Sequence, residues 1–232
     1  MKYILCLLLL SFISCKKANR LPENDTPVSS ENLLVADTIQ HIDVRLAERV
    51  KPALNDWLKY YDLDISDFQK GSESTMDIDV LKNDTTYPYY RYMEFTKERD
   101  VYAPQFYDYS PDKNMYLNIL EATFVYLAED GKYHYAGSDD SQAITLFNRK
   151  DKSAVLVTYR GYSDSADAAF WVDNQLFIIT GYAAVNDPGE FTLEVYDLKE
   201  KIKIRYVLPK EYTAESSYLM TDMKKRKVII DS

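Results

Sequence analysis

A repeated hairpin pattern, which begins near residue 106, is the feature that most constrains the fold. In its first element, a short apolar segment leads into a turn of Asp, Asn and Lys residues and returns as a segment of alternating polarity. Copies of this element occur at 106–119, 145–159 and 193–206. Because alternation with a period of two is typical of half-buried strands, each copy predicts an antiparallel β-hairpin.

A second hairpin element follows each copy of the first, at 123–137, 169–182 and 217–230. Its turn signals are Asp130-Gly131 in the first copy and Asp173-Asn174 in the second. Together the two elements make a mainly β unit of four antiparallel strands that recurs about every 40–50 residues. This unit fits the blade of a β-propeller or the hairpins of a twisted β-sandwich, and the repetition slightly favours the propeller-like fold.

The stretch before residue 72 predicts an N-terminal amphipathic helix. Its apolar residues recur every three or four positions, as on one buried helix face: Ile39, Ile42, Leu46, Val50, Leu54, Trp57 and Tyr61. Asp37 or Thr38 is the predicted cap at its start. Pro52 lies inside the pattern and is expected to kink the helix or split it in two. We expect the stripe to pack on the β domain, and its rival role is that of a partner helix for a groove.

The first residues have the layout of a secretory signal peptide. Met1 and Lys2 supply positive charge, and an apolar run at 3–13 follows them. That run has about 11 residues, whereas a helix needs roughly 20 to cross a bilayer. A cleaved signal is therefore favoured over a membrane-spanning helix.

The four residues Phe12-Ile13-Ser14-Cys15 resemble the lipobox of bacterial prolipoproteins, with Phe12 in place of the usual Leu. The resemblance implies that the thiol of Cys15 becomes the lipid-attachment site and carries two or three acyl chains such as palmitate. Two chains suffice for stable anchoring, because each buried methylene contributes about 0.8 kcal/mol. The alternative is a plain signal peptide cut near Ser14, which leaves Cys15 as an ordinary thiol.

The sequence divides into a leader, a tether and one domain. The expected ranges are 1–14 for the signal peptide, 15–35 for the lipidated cysteine and a flexible tether, and 36–232 for a single β-rich domain with its N-terminal helix. The polar segment 16–32 is expected to reach on the order of 20–25 Å. Lys16 and Lys17 follow Cys15 where some lipoproteins carry an acidic sorting residue, which favours the outer membrane of the cell envelope, facing the periplasm.

Composition and motifs exclude several function classes. The net charge of −9 and the pI near 4.8 argue against nucleic acid as a partner. The sequence has no P-loop, dinucleotide fingerprint or metal-ligand motif, so we expect no cofactor and no metal. With two histidines and no nucleophile elbow, it predicts no catalytic residues, although enzymatic activity stays open. The 21 tyrosines suit half-buried strand faces.

Two segments, 139–149 and 167–182, are similar to uncharacterised lipoproteins of Gram-negative envelopes. The similarity covers about residues 105–182 of the chain. It implies an envelope location but no activity, ligand or site residue.

Trp171 is the strongest single candidate for recognition, because it follows Phe170 and adjacent strand positions face opposite sides. Aromatic and Arg side chains together suit protein or glycan contacts. The candidate ligand or partner surface consists of Trp171, Tyr159, Arg160, Tyr162, Asp139 and Asp140. The other interpretation is that both rings are buried between sheets.

The acidic loop residues allow one further arrangement. Asp139 and Asp140 would approach Asp164 and Asp167 if adjacent repeats aligned their loops. Such a cluster would bind calcium or supply paired carboxylates for glycoside hydrolysis. Their ordinary role is to cap turns.

These features predict a membrane-anchored periplasmic lipoprotein whose β domain is a non-enzymatic binding or scaffold module for an envelope protein. The alternative is a glycan-binding or glycoside-hydrolysing lipoprotein that uses aromatic and acidic loop residues. The expected partners are the membrane, through the lipid anchor at Cys15, and an envelope protein or glycan.

Overall fold

Antiparallel strands dominate the part of the chain that the computed structural model describes, which comprises residues 39–76, 95–97, 100 and 103–231. The side chains of 121–124 and 138–140 are not described. All of these residues belong to one compact unit, Thr38–Ser232. The predicted signal peptide, Cys15 and the tether at 16–32 lie outside the described residues, so the structure does not test these predictions.

The described strands form two sheets. In chain order they are β1 (Gln69–Thr75), β2 (Asp108–Tyr109), β3 (Met115–Leu127), β4 (Tyr133–Asn148), β5 (Ser153–Gly161), β6 (Asp164–Trp171), β7 (Leu176–Ala183), β8 (Glu190–Asp197), β9 (Ile202–Pro209) and β10 (Ile229–Ile230). The first sheet is antiparallel with the order β1-β9-β8-β7-β6. In the second sheet β3 lies between β2 and β4, while β5 and β10 both pair with β4, β10 in parallel.

The two sheets make a β-sandwich, so the slight preference for a propeller-like fold is wrong. In a propeller, the four strands of each repeat would pair with one another to form one blade. Instead β7 pairs with β8 across the boundary between the second and third repeats, and the chain changes sheets between β5 and β6 inside one repeat. The repeated hairpins therefore merge into two continuous sheets.

Most predicted hairpins are present. β3 and β4 meet at the Asp130-Gly131 turn, where Gly131 has a φ of +74° that favours glycine. β6 and β7 meet at the turn that contains Asp173. The hairpin predicted at 217–230 is wrong, because that segment forms helix α2 (Tyr218–Lys225) followed by β10. Ser217 caps α2 by accepting a hydrogen bond from the Met220 amide, a start signal that the repeat pattern obscured.

The predicted amphipathic helix is α1 (Val44–Tyr60). It starts later than predicted, because the Asp43 carboxylate accepts hydrogen bonds from the amides of Arg45 and Leu46 at 3.0 and 3.1 Å and so replaces Asp37 or Thr38 as the cap. Pro52 lies inside α1 without splitting it. No helix of the described residues combines the length and apolar character needed to cross a bilayer.

The first sheet is the middle layer of the described domain. Alternate residues of β7 face opposite ways: Phe177 and Ile179 pack with the second sheet, whereas Leu176 and Ile178 pack with α1. This two-sided burial explains why β7 reads as a nearly continuous apolar run. Gly181 is needed there, since a Cβ atom at this position would lie 1.9 Å from the Ser165 carbonyl oxygen of β6.

A buried carboxylate joins this middle layer to both helices. Asp167 of β6 is 3% exposed and accepts hydrogen bonds from Trp57 Nε1 at 3.3 Å and from the Tyr61 hydroxyl at 2.8 Å. The Tyr61 hydroxyl in turn accepts a 2.8 Å bond from the Tyr218 amide at the start of α2. Burial raises the pKa of Asp167 to about 6, although both donors oppose the shift.

We expect Asp167→Asn to flatten part of the dependence of stability on pH. Because the folded pKa of Asp167 is raised above 3.8, the folded state binds its proton more tightly, and stability from this group increases as the pH falls from about 6 to 4. The shift corresponds to roughly 3 kcal/mol. The measurement is the free energy of unfolding by urea at pH 4.5 and 7.5 for both proteins.

Asp56→Asn is the matched control, because it removes the same charge from an exposed position of α1. The wild-type protein should gain stability relative to Asp167→Asn at the lower pH by about 2 kcal/mol. A difference between the two proteins that stays constant with pH would contradict the assignment.

Candidate functional site

The candidate site lies at the corner where the chain leaves the second sheet and enters the first. β5 ends at Gly161 and β6 begins at Asp164, so Tyr162 and Ser163 alone make the connection. Arg160 Nη1 donates to both carboxylate oxygens of Asp164, at 2.6 and 2.7 Å. The side chains on either side of the turn therefore fix its conformation.

Two apolar side chains project from this corner into solvent. Tyr162 is 84% exposed, and Val185 in the loop after β7 is 60% exposed. The two segments lie side by side, because the Ala184 amide donates to the Ser163 carbonyl oxygen at 2.7 Å. We call these residues, Tyr162, Ser163, Ala184 and Val185, the corner surface. It combines an aromatic ring with an aliphatic side chain on a constrained turn.

Arg160 lies beneath the corner surface as a buried charge. It is 2% exposed, and its Nη2 atom lies 2.9 Å from Glu194 Oε2 of β8. Burial by itself lowers the pKa of the Arg160 guanidinium, but the carboxylates of Glu194 and Asp164 outweigh it and raise that pKa. Arg160 is therefore a fixed positive charge that ties β5 of the second sheet to the first.

Glu194 is the buried negative partner, at 1% exposure. Lys203 Nζ lies 3.1 Å from its Oε1 atom, and the Tyr196 hydroxyl donates to its Oε2 atom at 2.6 Å. Burial favours the protonated acid, but Arg160 and Lys203 outweigh that effect and hold the pKa of Glu194 below its ordinary value. Glu194 is thus ionised in the folded protein at neutral pH.

The ion pairs around Glu194 form a balanced network. Arg205 of β9 completes it through contacts with Glu190 at 3.2 Å, Glu194 at 3.5 Å and Asp164 at 3.6 Å. The members are three cations, Arg160, Lys203 and Arg205, and three carboxylates, Asp164, Glu190 and Glu194. Because these charges compensate one another, the network supports the corner surface without presenting a net charge to a ligand.

Gln142 fastens the same corner from β4. Its Nε2 atom donates to the carbonyl oxygens of Ile119 at 2.8 Å and Ala166 at 3.1 Å, and its Oε1 atom accepts from the Ala166 amide at 2.8 Å. The side chain thereby occupies the outward-facing backbone groups of Ala166 on β6, which would otherwise offer an unpaired strand edge.

The structure brings only part of the predicted surface together. Arg160 and Tyr162 lie at the corner, with Tyr159 partly buried against Ala143 and Leu156. Trp171 ends β6, at the opposite end from the corner and roughly 20 Å away along the strand. Its Nε1 atom donates to the Asp108 carbonyl oxygen at 2.7 Å, and its ring packs on Phe177. Trp171 is therefore a packing residue and no part of the corner surface.

The acidic residues do not converge as the loop alignment required. Asp164 pairs with Arg160, whereas Asp167 faces α1 and contacts Trp57 and Tyr61. The side chains of Asp139 and Asp140 are outside the described part. In the described ranges no group of three or more His, Cys, Asp or Glu side chains is arranged to hold a metal ion.

Sequence reasoning missed three contributors to this site. Val185 lies in a loop without a motif, and Gln142 lies in a long strand where a polar residue first suggests exposure. Glu194 gave no clear signal, because it occupies a polar position in the alternating pattern E-F-T-L-E-V-Y-D of β8, which is typical of a half-exposed strand. Such a residue needs a buried partner if both faces of its sheet are covered, but the second sheet that covers it was not predictable from β8 alone.

We expect Arg160→Met to destabilise the fold by about 3 kcal/mol, because it leaves Glu194 buried without its closest cation. Arg160→Met combined with Glu194→Gln should recover part of that loss. Arg49→Met is the matched control, since its ion pair with Asp173 is exposed and contributes less than about 1 kcal/mol. Urea unfolding measures all three, and equal losses in the two single variants would contradict a buried network.

Comparison with known proteins adds no relative from which to carry over a function. No protein-family model matches the chain, and no curated protein or solved structure matches it. What the corner surface can bind therefore follows from its own geometry, namely an exposed aromatic and aliphatic pair on a turn that buried ion pairs hold in place.

Proposed function

We propose that this chain is a lipid-anchored protein of the bacterial envelope whose β-sandwich binds another envelope protein without catalysing a reaction. The observation that carries the binding role is Tyr162, which is 84% exposed on a turn whose ends are joined by the ion pair between the buried Arg160 and the partly exposed Asp164. A tyrosine ring that lies mostly in water contributes little to its own fold, whereas a partner would gain by covering it.

The chemistry of the corner surface favours a protein partner. Tyrosine supplies a large contact area with few rotatable bonds, so little conformational entropy is lost when a partner covers it. Val185 extends the apolar area beside it. The cations beneath are already paired with carboxylates, so they attract no polyanion. A neutral, partly apolar protein surface fits this arrangement best.

The glycan alternative needs an exposed aromatic ring beside free carboxylates. Trp171, its strongest candidate, instead donates to the Asp108 carbonyl oxygen and packs on Phe177. Asp164 is engaged by Arg160. The described geometry therefore offers this alternative no specific support.

The sequence supports the location. The apolar run at 3–13 with Ser14-Cys15 resembles a lipoprotein signal, and the polar segment 16–32 resembles a tether. Acylation of Cys15 would hold the domain at a membrane surface, and Lys16 and Lys17 favour the periplasmic face of the outer membrane. The anchor then concentrates the corner surface near other envelope proteins.

We expect Cys15→Ser to abolish acylation and to move the protein from the membrane fraction to the soluble periplasmic fraction. The measurement is metabolic labelling with an alkyne fatty acid, followed by fractionation. Cys6→Ser is the matched control, because Cys6 lies in the leader and should leave both results unchanged. Continued labelling of the Cys15→Ser protein would disprove the anchor.

The binding role predicts a position-specific crosslink. A photoreactive amino acid at position 162 should capture a discrete envelope protein in intact cells, and Val185→Ala should reduce the yield about tenfold by removing the neighbouring apolar contact. A probe at position 44 is the control, since Val44 is also exposed, at 69%, but lies on α1.

Val44→Ala is the matched control for Val185→Ala and should leave the yield at position 162 unchanged. Equal capture from positions 162 and 44, or no effect of Val185→Ala, would contradict a role for the corner surface. Circular dichroism of each variant checks that the fold is retained.

A further inference from the structure

The exposed side of α1 carries charge of the opposite sign to the chain as a whole. The chain has a formal net charge of −9. On α1, by contrast, exposed cations outnumber exposed acids by two to one. The cations are Arg45, Arg49, Lys51 and Lys59, and the acids are Glu48 and Asp56. The helix is therefore a locally basic surface on an acidic protein.

Most of the cations on this side of α1 have no counter-ion of their own. Arg49 pairs with Asp173 of the β6–β7 turn, and Asp56 lies 4.0 Å from Lys225 of α2. Glu48 is left as the unpaired acid. The three cations that form no ion pair within the described ranges are Arg45, Lys51 and Lys59, and we call them the basic face.

The stability of α1 does not account for the whole basic face. The helix dipole favours cations in the last turn, where Lys59 lies, and disfavours them in the first. Arg45 lies in the first turn, which contains no acid to offset its charge, and Lys51 lies in the middle of the helix. Arg45 and Lys51 therefore bring α1 no stabilisation by charge and are free to bind an external anion.

α1 is also the described helix that is nearest along the chain to the proposed lipid anchor. Only 23 residues, 16–38, join Cys15 to Ile39, the first described residue. A bilayer that contains anionic phospholipids has a negative surface potential, which attracts Lys and Arg side chains within about one Debye length. Charge and connectivity thus point to the same occupant for this side of α1.

We propose that the basic face binds the anionic headgroups of the phospholipid bilayer to which the anchor attaches the chain, and so determines which side of the domain faces the membrane. This inference rests on the membrane location in the proposed function but not on the corner surface. Each Lys or Arg near such a bilayer strengthens binding about fivefold, so three of them orient an already anchored domain. The acidic remainder of the chain is repelled by the same headgroups, which reinforces the orientation.

The test is flotation of the unacylated chain with lipid vesicles. Residues 15–232 with Cys15→Ser contain every described residue but neither the apolar leader nor an acyl chain, so binding reports on the headgroups. The protein should bind vesicles with one third phosphatidylglycerol in phosphatidylcholine, and it should not bind pure phosphatidylcholine. Binding should be lost when salt shortens the Debye length from about 10 Å to about 4 Å.

Arg45→Gln combined with Lys51→Gln should lower the partition coefficient on the anionic vesicles roughly 25-fold, because each lost charge costs about fivefold. Lys150→Gln combined with Lys152→Gln is the matched control. It removes two exposed charges from the β4–β5 turn of the second sheet, which packs on the opposite face of the first sheet from α1. The control should change the partition coefficient less than about twofold. Circular dichroism checks that both variants retain the fold.

Binding to neither kind of vesicle, equal binding to both kinds, or equal losses in the two double variants would overturn the proposal. A photoreactive amino acid at position 51 should attach to lipid in intact cells. Capture of a discrete protein there would assign an acidic protein to α1 and would also overturn the proposal. Labelling of Cys15 and crosslinking from position 162 are separate measurements, so their failure is distinguishable from a failure of the basic face.

Discussion

Two-sided burial of the first sheet is the constraint on which the rest of the structure depends. With α1 against one face and the second sheet against the other, the buried carboxylates of β6 and β8 need partners inside the protein. Asp167 finds Trp57 and Tyr61 on the α1 side, and Glu194 finds Arg160 on the side of the second sheet. These polar contacts determine how α1 and the second sheet align on the first sheet. Apolar packing alone would specify that alignment less well.

The sequence predicts the local part of this structure well. Asp130-Gly131 marks a real hairpin, and the apolar spacing from Val50 to Trp57 marks the buried face of α1, because turn chemistry and helix periodicity are properties of neighbouring residues. The start of α1 was predicted too early, because several acidic and hydroxyl residues near the start of the apolar stripe are suitable caps. Tertiary contacts decide that Asp43 is the one used. There, the pairing of Ile42 with Phe68 holds the preceding segment extended.

Long-range pairing accounts for what could not be predicted. Nothing in β7 or β8 says that they pair across a repeat boundary, and the segment at 217–230 resembles a hairpin although Ser217 starts a helix. The site shows the same division. Arg160 and Tyr162 were both chosen from the sequence as surface candidates. Only Tyr162 is exposed, because Arg160 pairs with Glu194, a residue distant in sequence, and is buried beneath the surface. The choice between the two interpretations of Trp171 needed the same kind of information, since the Asp108 carbonyl oxygen that it contacts comes from another strand.

The two buried acids of the first sheet respond to pH in opposite directions. The pKa of Asp167 is raised, so its contribution to stability grows as the pH falls toward 4, whereas the pKa of Glu194 is lowered, so its contribution is present at neutral pH and is lost in acid. The α1 side is thus favoured in acid while the inter-sheet side is weakened. Glu194 pairs with Arg160, and Arg160 pairs with Asp164 across the Tyr162 turn, so an acid buried on β8 is connected through two ion pairs to the turn of the corner surface. A loss of the Glu194 charge in acid therefore acts on the same chain of ion pairs that reaches the turn at Tyr162, and not only on the packing between the sheets.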